Sequence, residues 1–206
     1  MTRGLSGAQA ARRARLVSAA RALALDGGYG AVTMHDVADR AEVGRATVYR
    51  YFASKDHLLT EVATDWARGV TEDLDAVAVG ETAAERLTAV LERIVRTAAA
   101  ELTLTSAIVQ AVTADDPSVD EARTVLFLLV RDRLAAAIGE PVPGWDQAEV
   151  VLGHVLLAAL VSLTSLHRPV DEVAEVVRTS GRLVLAGALA TAEDGTVTRA
   201  ASAAGA

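Results

Sequence analysis

Two guanidinium groups and three hydroxyls crowd into seven residues, Arg45, Thr47, Tyr49, Arg50 and Tyr51 of R-A-T-V-Y-R-Y. Such donors suit phosphate oxygens and the acceptor edges of bases. Within that segment only Val48, with Phe52 four residues on, is placed to anchor a helix to a core. A helical wheel then points Ala46, Thr47 and Arg50 away from the core, with Arg45, Tyr49 and Tyr51 flanking them. One exposed Arg or Tyr is ordinary surface. Several on one face of a short helix suit the major groove of DNA, which is wide enough to admit a helix.

Such a helix needs a partner that holds it at a fixed angle. Met34, Val37, Ala38 and Ala41 recur at i, i+3, i+4 and i+7, an apolar stripe at helical spacing. Thr33 is placed to cap this helix, and Asp36 adds the negative charge that a helix N-terminus favours. Residues 42 to 44 are left as the turn, so the spacing predicts a helix-turn-helix.

Charge distribution agrees. Residues 1 to 60 carry nine Arg plus Lys against five Asp plus Glu, a net of +4, and residues 61 to 206 carry 11 against 22, a net of -11. A basic head on an acidic body binds phosphate locally, because attraction is screened within about 8 Å at physiological salt.

Other chemistries find little support. There is no Cys, which excludes disulfides, thiolate zinc sites and cysteine nucleophiles. His35, His57, His154 and His167 stand far apart without metal-ligand spacing, and no phosphate loop, dinucleotide fingerprint or nucleophile elbow occurs. Neither an enzyme nor a cofactor or metal is expected. The N-terminus has no signal-peptide apolar block, and no charge-free apolar span of membrane length escapes interruption by Gly and His. A cytoplasmic protein without membrane contact is expected.

The rest reads as helix, giving an all-α chain of about nine helices: a three-helix DNA-binding head over residues 1–54 and a larger helical domain over 55–192, to which the family resemblance given below assigns effector binding and dimerisation. Ser6 with Gln9 is a capping-box pattern opening the first helix, which Gly27, Gly28 and Gly30 end. Ser54 caps a helix expected to run to about Ala78, and Thr82 with Glu85 opens another to about Ala100. A shorter helix covers about 105–114, and Pro117 starts the next, to Ile138. Asp146 with Glu149 is a third cap signature, opening a helix to about residue 166. Arg168 and Pro169 precede the last helix, and the Ala- and Gly-rich tail from Glu193 to 206 is expected to fray. Residues 150 to 163 are apolar nearly all round, and Val173, Val177, Val184 and Ala188 mark one side of the final helix. An interface built from the last two helices of two subunits accounts for both.

The first 60 residues, through G-Y-G-A-V-T-M-H-D-V-A and V-G-R-A-T-V-Y-R-Y-F-A-S-K-D-H-L-L, resemble the DNA-binding head of the tetracycline-repressor (TetR) family. The resemblance implies that Arg45 to Tyr51 form the recognition helix, that Thr33, Tyr49 and Lys55 contact phosphate, and that His35 stands where some members carry a base-reading side chain. It also implies a homodimer on a palindromic operator in double-stranded DNA, acting as a repressor released by a small-molecule effector. The few charges in the middle helices favour an apolar or amphipathic effector, and Trp66, Gln110, Phe127, Arg131, His154 and Ser162, which interrupt apolar faces, are the candidate ligand residues. Glu42 and Gly44 depart from the family's usual turn Gly and Ser or Thr cap. They favour the alternative, a helical small-molecule-binding or scaffold protein whose head no longer reads DNA.

Overall fold

The computed structural model describes residues 7–72, 76, 78–139, 141–142 and 144–204, with side chains to residue 190. Among these residues there are nine α-helices and no strands. They are α1 (Gly7–Ala31), α2 (Met34–Arg40), α3 (Arg45–Tyr51), α4 (Lys55–Val70), α5 (Ala83–Ala100), α6 (Leu102–Val112), α7 (Asp120–Ile138), α8 (Trp145–Thr164) and α9 (Val170–Ala204). They divide into two compact units, Met1–Gly69 with Ala98–Leu128, and Val70–Thr97 with Leu129–Ala206.

In the first unit α1 packs on α6 and α2, and α2 on α3. The α1 stripe Leu16, Ala20 and Ala24 is fully buried, as are Val37 of α2, Val48 of α3, Phe52 and Leu58. Gly28 breaks α1: its φ of 68° lies in the left-handed region that favours glycine, and Thr103 Cγ2 lies 3.5 Å from where a Cβ would stand. The chain then resumes a helical turn through Tyr29 before Thr33 caps α2. The Ser6 cap lies outside the described residues.

Glu101 is the polar junction of this unit. It accepts both Arg21 Nη2 contacts, at 2.9 and 3.2 Å, and the Trp66 indole N–H at 2.9 Å, so one carboxylate ties α1 and α4 to the start of α6. At the 3-10 turn Pro117–Val119, Asp116 accepts Ser118 N–H at 2.9 Å, and Ser118 Oγ lies 3.1 Å from Ser54 Oγ. The Ser54 and Ser118 contacts hold the Asp116 carboxyl below the usual carboxylate range. Thus Pro117 opens a 3-10 turn that leads into α7, rather than α7 itself.

In the second unit α5 buries Leu87, Val90, Leu91 and Val95. Ion pairs join it to α9: Glu92 with Arg178 at 3.0 Å, and Arg96 with Asp171 at 3.1 Å. The capping box Thr82/Glu85 forms, with Glu85 N–H on Thr82 Oγ1 at 3.2 Å and Thr82 N–H on Glu85 Oε2 at 3.0 Å. These backbone donors, from Thr82 and then Glu81, draw the Glu85 carboxyl below its ordinary range. Arg86 closes the other end of α7, donating to the carbonyls of Ala137 at 3.1 Å and Ile138 at 2.5 Å. That is where a helix C-terminus favours a cation.

Four further boundaries differ from the sequence reading. Helix α4 ends at Val70 rather than near Ala78, since Gly69 and the β-branched Val70 and Thr71 are poor helix formers; residues 73–75 and 77 lie outside the described ones. Helix α6 starts at Leu102 and not Thr105, because Glu101 serves as its N-cap. Helix α8 starts at Trp145, and its N-cap is Gly144 at a φ of 75°. Asp146 falls inside the first turn, where its charge suits the helix end without capping it. Helix α9 runs on to Ala204 past the expected stop at 192, along a stretch without Pro that is rich in Ala, the best helix former.

The outer faces of α8 and α9 require one correction. Val173, Val177 and Ala188, read as the contact side of the last helix, are buried within the chain; the side left exposed carries Val176, Leu183 and Leu189. On α8 the stripe Ala148, Leu152, Leu156, Ala159 and Leu163 is buried, whereas Val150 and Val151 are exposed. Helix α8 is long and apolar enough to cross a membrane by length and composition, a test that the core helix of a globular protein also passes.

Candidate DNA-binding surface

The recognition segment is built as its residue types demand. Thr33 is extended, at φ -120°, and its Oγ1 accepts the Asp36 N–H at 3.1 Å. Ala38 O then accepts Val43 N–H at 2.9 Å, closing the turn. Glu42 has a φ of 55°, the left-handed conformation for which the family's usual glycine is suited. Gly44 serves as N-cap without a side-chain bond, its carbonyl accepting Thr47 N–H at 2.8 Å. Relieving the strain with Glu42→Gly is expected to stabilise the protein, by up to about 1 kcal/mol after the entropy cost of glycine. Urea unfolding measures this; an unchanged or lowered midpoint contradicts it.

Helix α3 buries Val48, and Phe52 just beyond it is also fully buried. Arg45, Ala46, Tyr49 and Arg50 are exposed, Tyr49 to 57%, and Thr47 is half-buried. Arg50 lies over the Tyr51 ring, 5.4 Å from its centroid. Tyr51 is oriented otherwise than the outward flank suggests. Its hydroxyl is buried and has no partner among the described residues.

Lys55, the chain's only lysine, begins α4. Its ammonium stands 3.5 Å from the Tyr29 ring centroid and donates to Tyr29 O at 3.3 Å. The Tyr29 hydroxyl donates to Asp56 at 2.7 Å. Burial, reinforced by Asp56, pushes that hydroxyl up to about 12. The ring is thereby fixed beneath the lysine. His57 lies edge-on to Phe52, with centroids 5.5 Å apart. Tyr29 was missed in sequence, where only the adjacent glycines gave a signal.

The six candidate ligand residues divide between the units, with Trp66, Gln110 and Phe127 in the first and Arg131, His154 and Ser162 in the second. Five have polar partners inside the chain. Trp66 bonds Glu101; Gln110 bonds Ser106; His154 Nδ1 and Ser162 Oγ bond backbone carbonyls one turn back, at 2.7 and 2.8 Å. Arg131 contacts Asp132 at 3.1 Å and lies 3.8 Å from Glu149, whose carboxyl burial pushes up against that attraction. Phe127 is 43% exposed. A cavity of about 220 Å³ in the second unit is lined instead by Ala135, Ile138, Pro141, Val142 and Trp145. The described residues contain no cluster able to hold a metal ion.

Comparison with known proteins agrees with both parts of the chain. Residues 16–62 match the pattern described as "Bacterial regulatory proteins, tetR family", and residues 80–184 match "Tetracyclin repressor-like, C-terminal domain". The HTH-type transcriptional repressor KstR of Rhodococcus jostii is 36% identical over 185 residues, 87% of this chain and 85% of that protein. The crystal structure of a TetR transcriptional regulator from Rhodococcus sp. RHA1 has 29% identity and a TM-score of 0.76, covering 88% of this chain and 98% of that one. FadR of Thermus thermophilus, a TetR family transcriptional repressor crystallised with lauroyl-CoA, shares the fold at 20% identity and a TM-score of 0.66, covering 84% and 93%. With a helix-turn-helix that exposes Arg45, Tyr49 and Arg50, and with relatives named as transcriptional repressors, this chain belongs to the TetR family and is a DNA-binding regulator of transcription, not an enzyme.

Proposed function

We propose that the protein is a homodimeric cytoplasmic repressor that reads a palindromic operator and releases it when an amphipathic small molecule binds. The observation that carries the reading is the partition of α3, which commits Val48 to the core and leaves Arg45, Ala46, Tyr49 and Arg50 free to enter a major groove. Thr33, Tyr49 and Lys55 contact phosphate; Arg45, Thr47 and Arg50 face base edges, with His35 beside Arg45 on the same surface; Ala46 is small enough to meet a thymine methyl. Tyr51 belongs to the same surface through its ring, on which Arg50 rests.

The exposed Val150, Val151, Val176 and Leu183 support pairing through the last two helices, which would set two heads on half-sites about one helical turn apart. A ligand that favours another spacing of the heads would weaken operator binding, by an amount of order 1 to 3 kcal/mol. The lauroyl-CoA of the FadR neighbour supports an acyl thioester as the class of effector.

The reading is tested by binding to a selected duplex and to random DNA across a salt series. Tyr49→Phe and Lys55→Ala are expected to weaken both to a similar degree, and Lys55→Ala to reduce the salt slope by about one unit. Arg50→Ala is expected to lose about tenfold or more on the selected duplex and far less on random DNA. Equal loss on both would remove Arg50 from the base readers.

A further inference from the structure

Arg45 is the first residue of α3, and His35 lies in the first turn of α2, so the turn between the helices brings the two side chains together. Arg45 Nε donates to His35 Nδ1 at 3.0 Å. For Nδ1 to accept, the imidazole carries its proton on Nε2. Asp39 Oδ2, one turn along α2, lies 3.5 Å from the same Nδ1, and an ion pair there would need the proton on Nδ1 instead. The two contacts therefore compete, and the shorter one, to Arg45, sets the arrangement.

This arrangement has a consequence for reading DNA. A guanidinium is a rigid plane of five N–H donors. With Nε engaged by His35, its two Nη groups have no other partner among the described residues, and both side chains stand on the exposed surface of the head. The Nη1–Nη2 edge offers two N–H groups side by side. Guanine presents two adjacent acceptors, O6 and N7, in the major groove; adenine and cytosine put a donor there, and thymine a single acceptor.

We infer that His35 is a positioning residue for Arg45, and that Arg45, held by its Nε, reads guanine. The inference rests on the head being a DNA reader. It gives His35 a role other than direct base contact: a flexible side chain loses rotamer freedom on binding, and a neighbour that holds it beforehand reduces that loss.

The test uses the full-length protein and the duplex it enriches from random-sequence DNA. Affinity is measured for wild type, His35→Ala, His35→Asn, Arg45→Ala and the double alanine variant, on that duplex and on versions with each G·C pair changed symmetrically to A·T. Arg45→Ala and His35→Ala are expected to lose about tenfold discrimination at the same G·C pair, with no further loss in the double variant. His35→Asn, whose amide oxygen stands near the position of Nδ1, is expected to keep it. Thermal melting confirms that the variants fold, as exposed positions should allow. Additive losses, losses at different pairs, a uniform loss on all duplexes, or failure of His35→Asn to rescue would overturn the pairing and leave the regulator reading intact. Enrichment of no duplex at all would overturn both.

Discussion

Leu183→Glu is expected to turn the proposed dimer into a monomer and to lower operator affinity at least about 100-fold, since two linked half-site contacts become independent. Leu183 is 69% exposed on the outer face of α9, so the carboxylate does not disturb the protomer that presents it. Against a second copy, the same carboxylate would be buried without a partner, which is costly enough to break an interface. Light scattering reads the mass, and binding to a half-site duplex should be nearly unchanged. A variant that remains dimeric would place the interface elsewhere. The opposite side of the helix makes the contrast: Val177 is fully buried within its own chain, so Val177→Glu should unfold the protomer rather than split the dimer.

Phe52→Ala is expected to destabilise the first unit by about 3 to 5 kcal/mol, a large share of the 5 to 15 kcal/mol that holds a typical domain together. Phe52 is fully buried directly after α3. Arg13 of α1 lies over its ring at 5.4 Å and is itself paired with Glu61 of α4 at 2.5 Å, while His57 meets the ring edge. Deleting the ring leaves a cavity where α1, α3 and α4 converge. Binding to every DNA sequence should fall together with the melting temperature. A stable variant that merely changed base preference would contradict this role.

Short-range patterns in the sequence anticipated much of the head and one helix cap in the second unit. Thr33, Thr82 with Glu85, and the Val48/Phe52 pair act within a few residues of themselves, where spacing determines geometry. The left-handed Glu42 was signalled only through the family resemblance, which places a glycine at that turn position. Gly144 shows the limit. Asp146 with Glu149 satisfied the cap pattern, yet a glycine at positive φ two residues earlier had already started the helix.

Long-range choices were not legible. Glu101 meets Arg21 across 80 residues, and no local spacing signals that partnership. The periodicity of α9 located an apolar stripe but not what it faces: Val173 and Val177 turn inward, and the weaker, mixed stripe of Val176 and Leu183 turns outward. Among the candidate ligand residues sequence could not discriminate, because a polar side chain on an apolar face is equally consistent with a hydrogen bond inside the chain. Trp66 bonds Glu101 across 35 residues, and His154 bonds the Val150 carbonyl one turn back. For the head, the exposed face of α3 was legible at Arg45, Ala46, Tyr49 and Arg50, but not at Thr47, which is half-buried, or at Tyr51, whose hydroxyl turned inward.

The central claim is that the protein reads a specific sequence as a twofold dimer. Selection of duplexes from a random pool by the purified full-length protein at low salt, with Arg50→Ala in parallel, tests it most directly. The account predicts enrichment of a palindrome by the wild type that Arg50→Ala fails to recover. A folded, dimeric wild-type protein that enriched no sequence, or one without twofold symmetry, would contradict it.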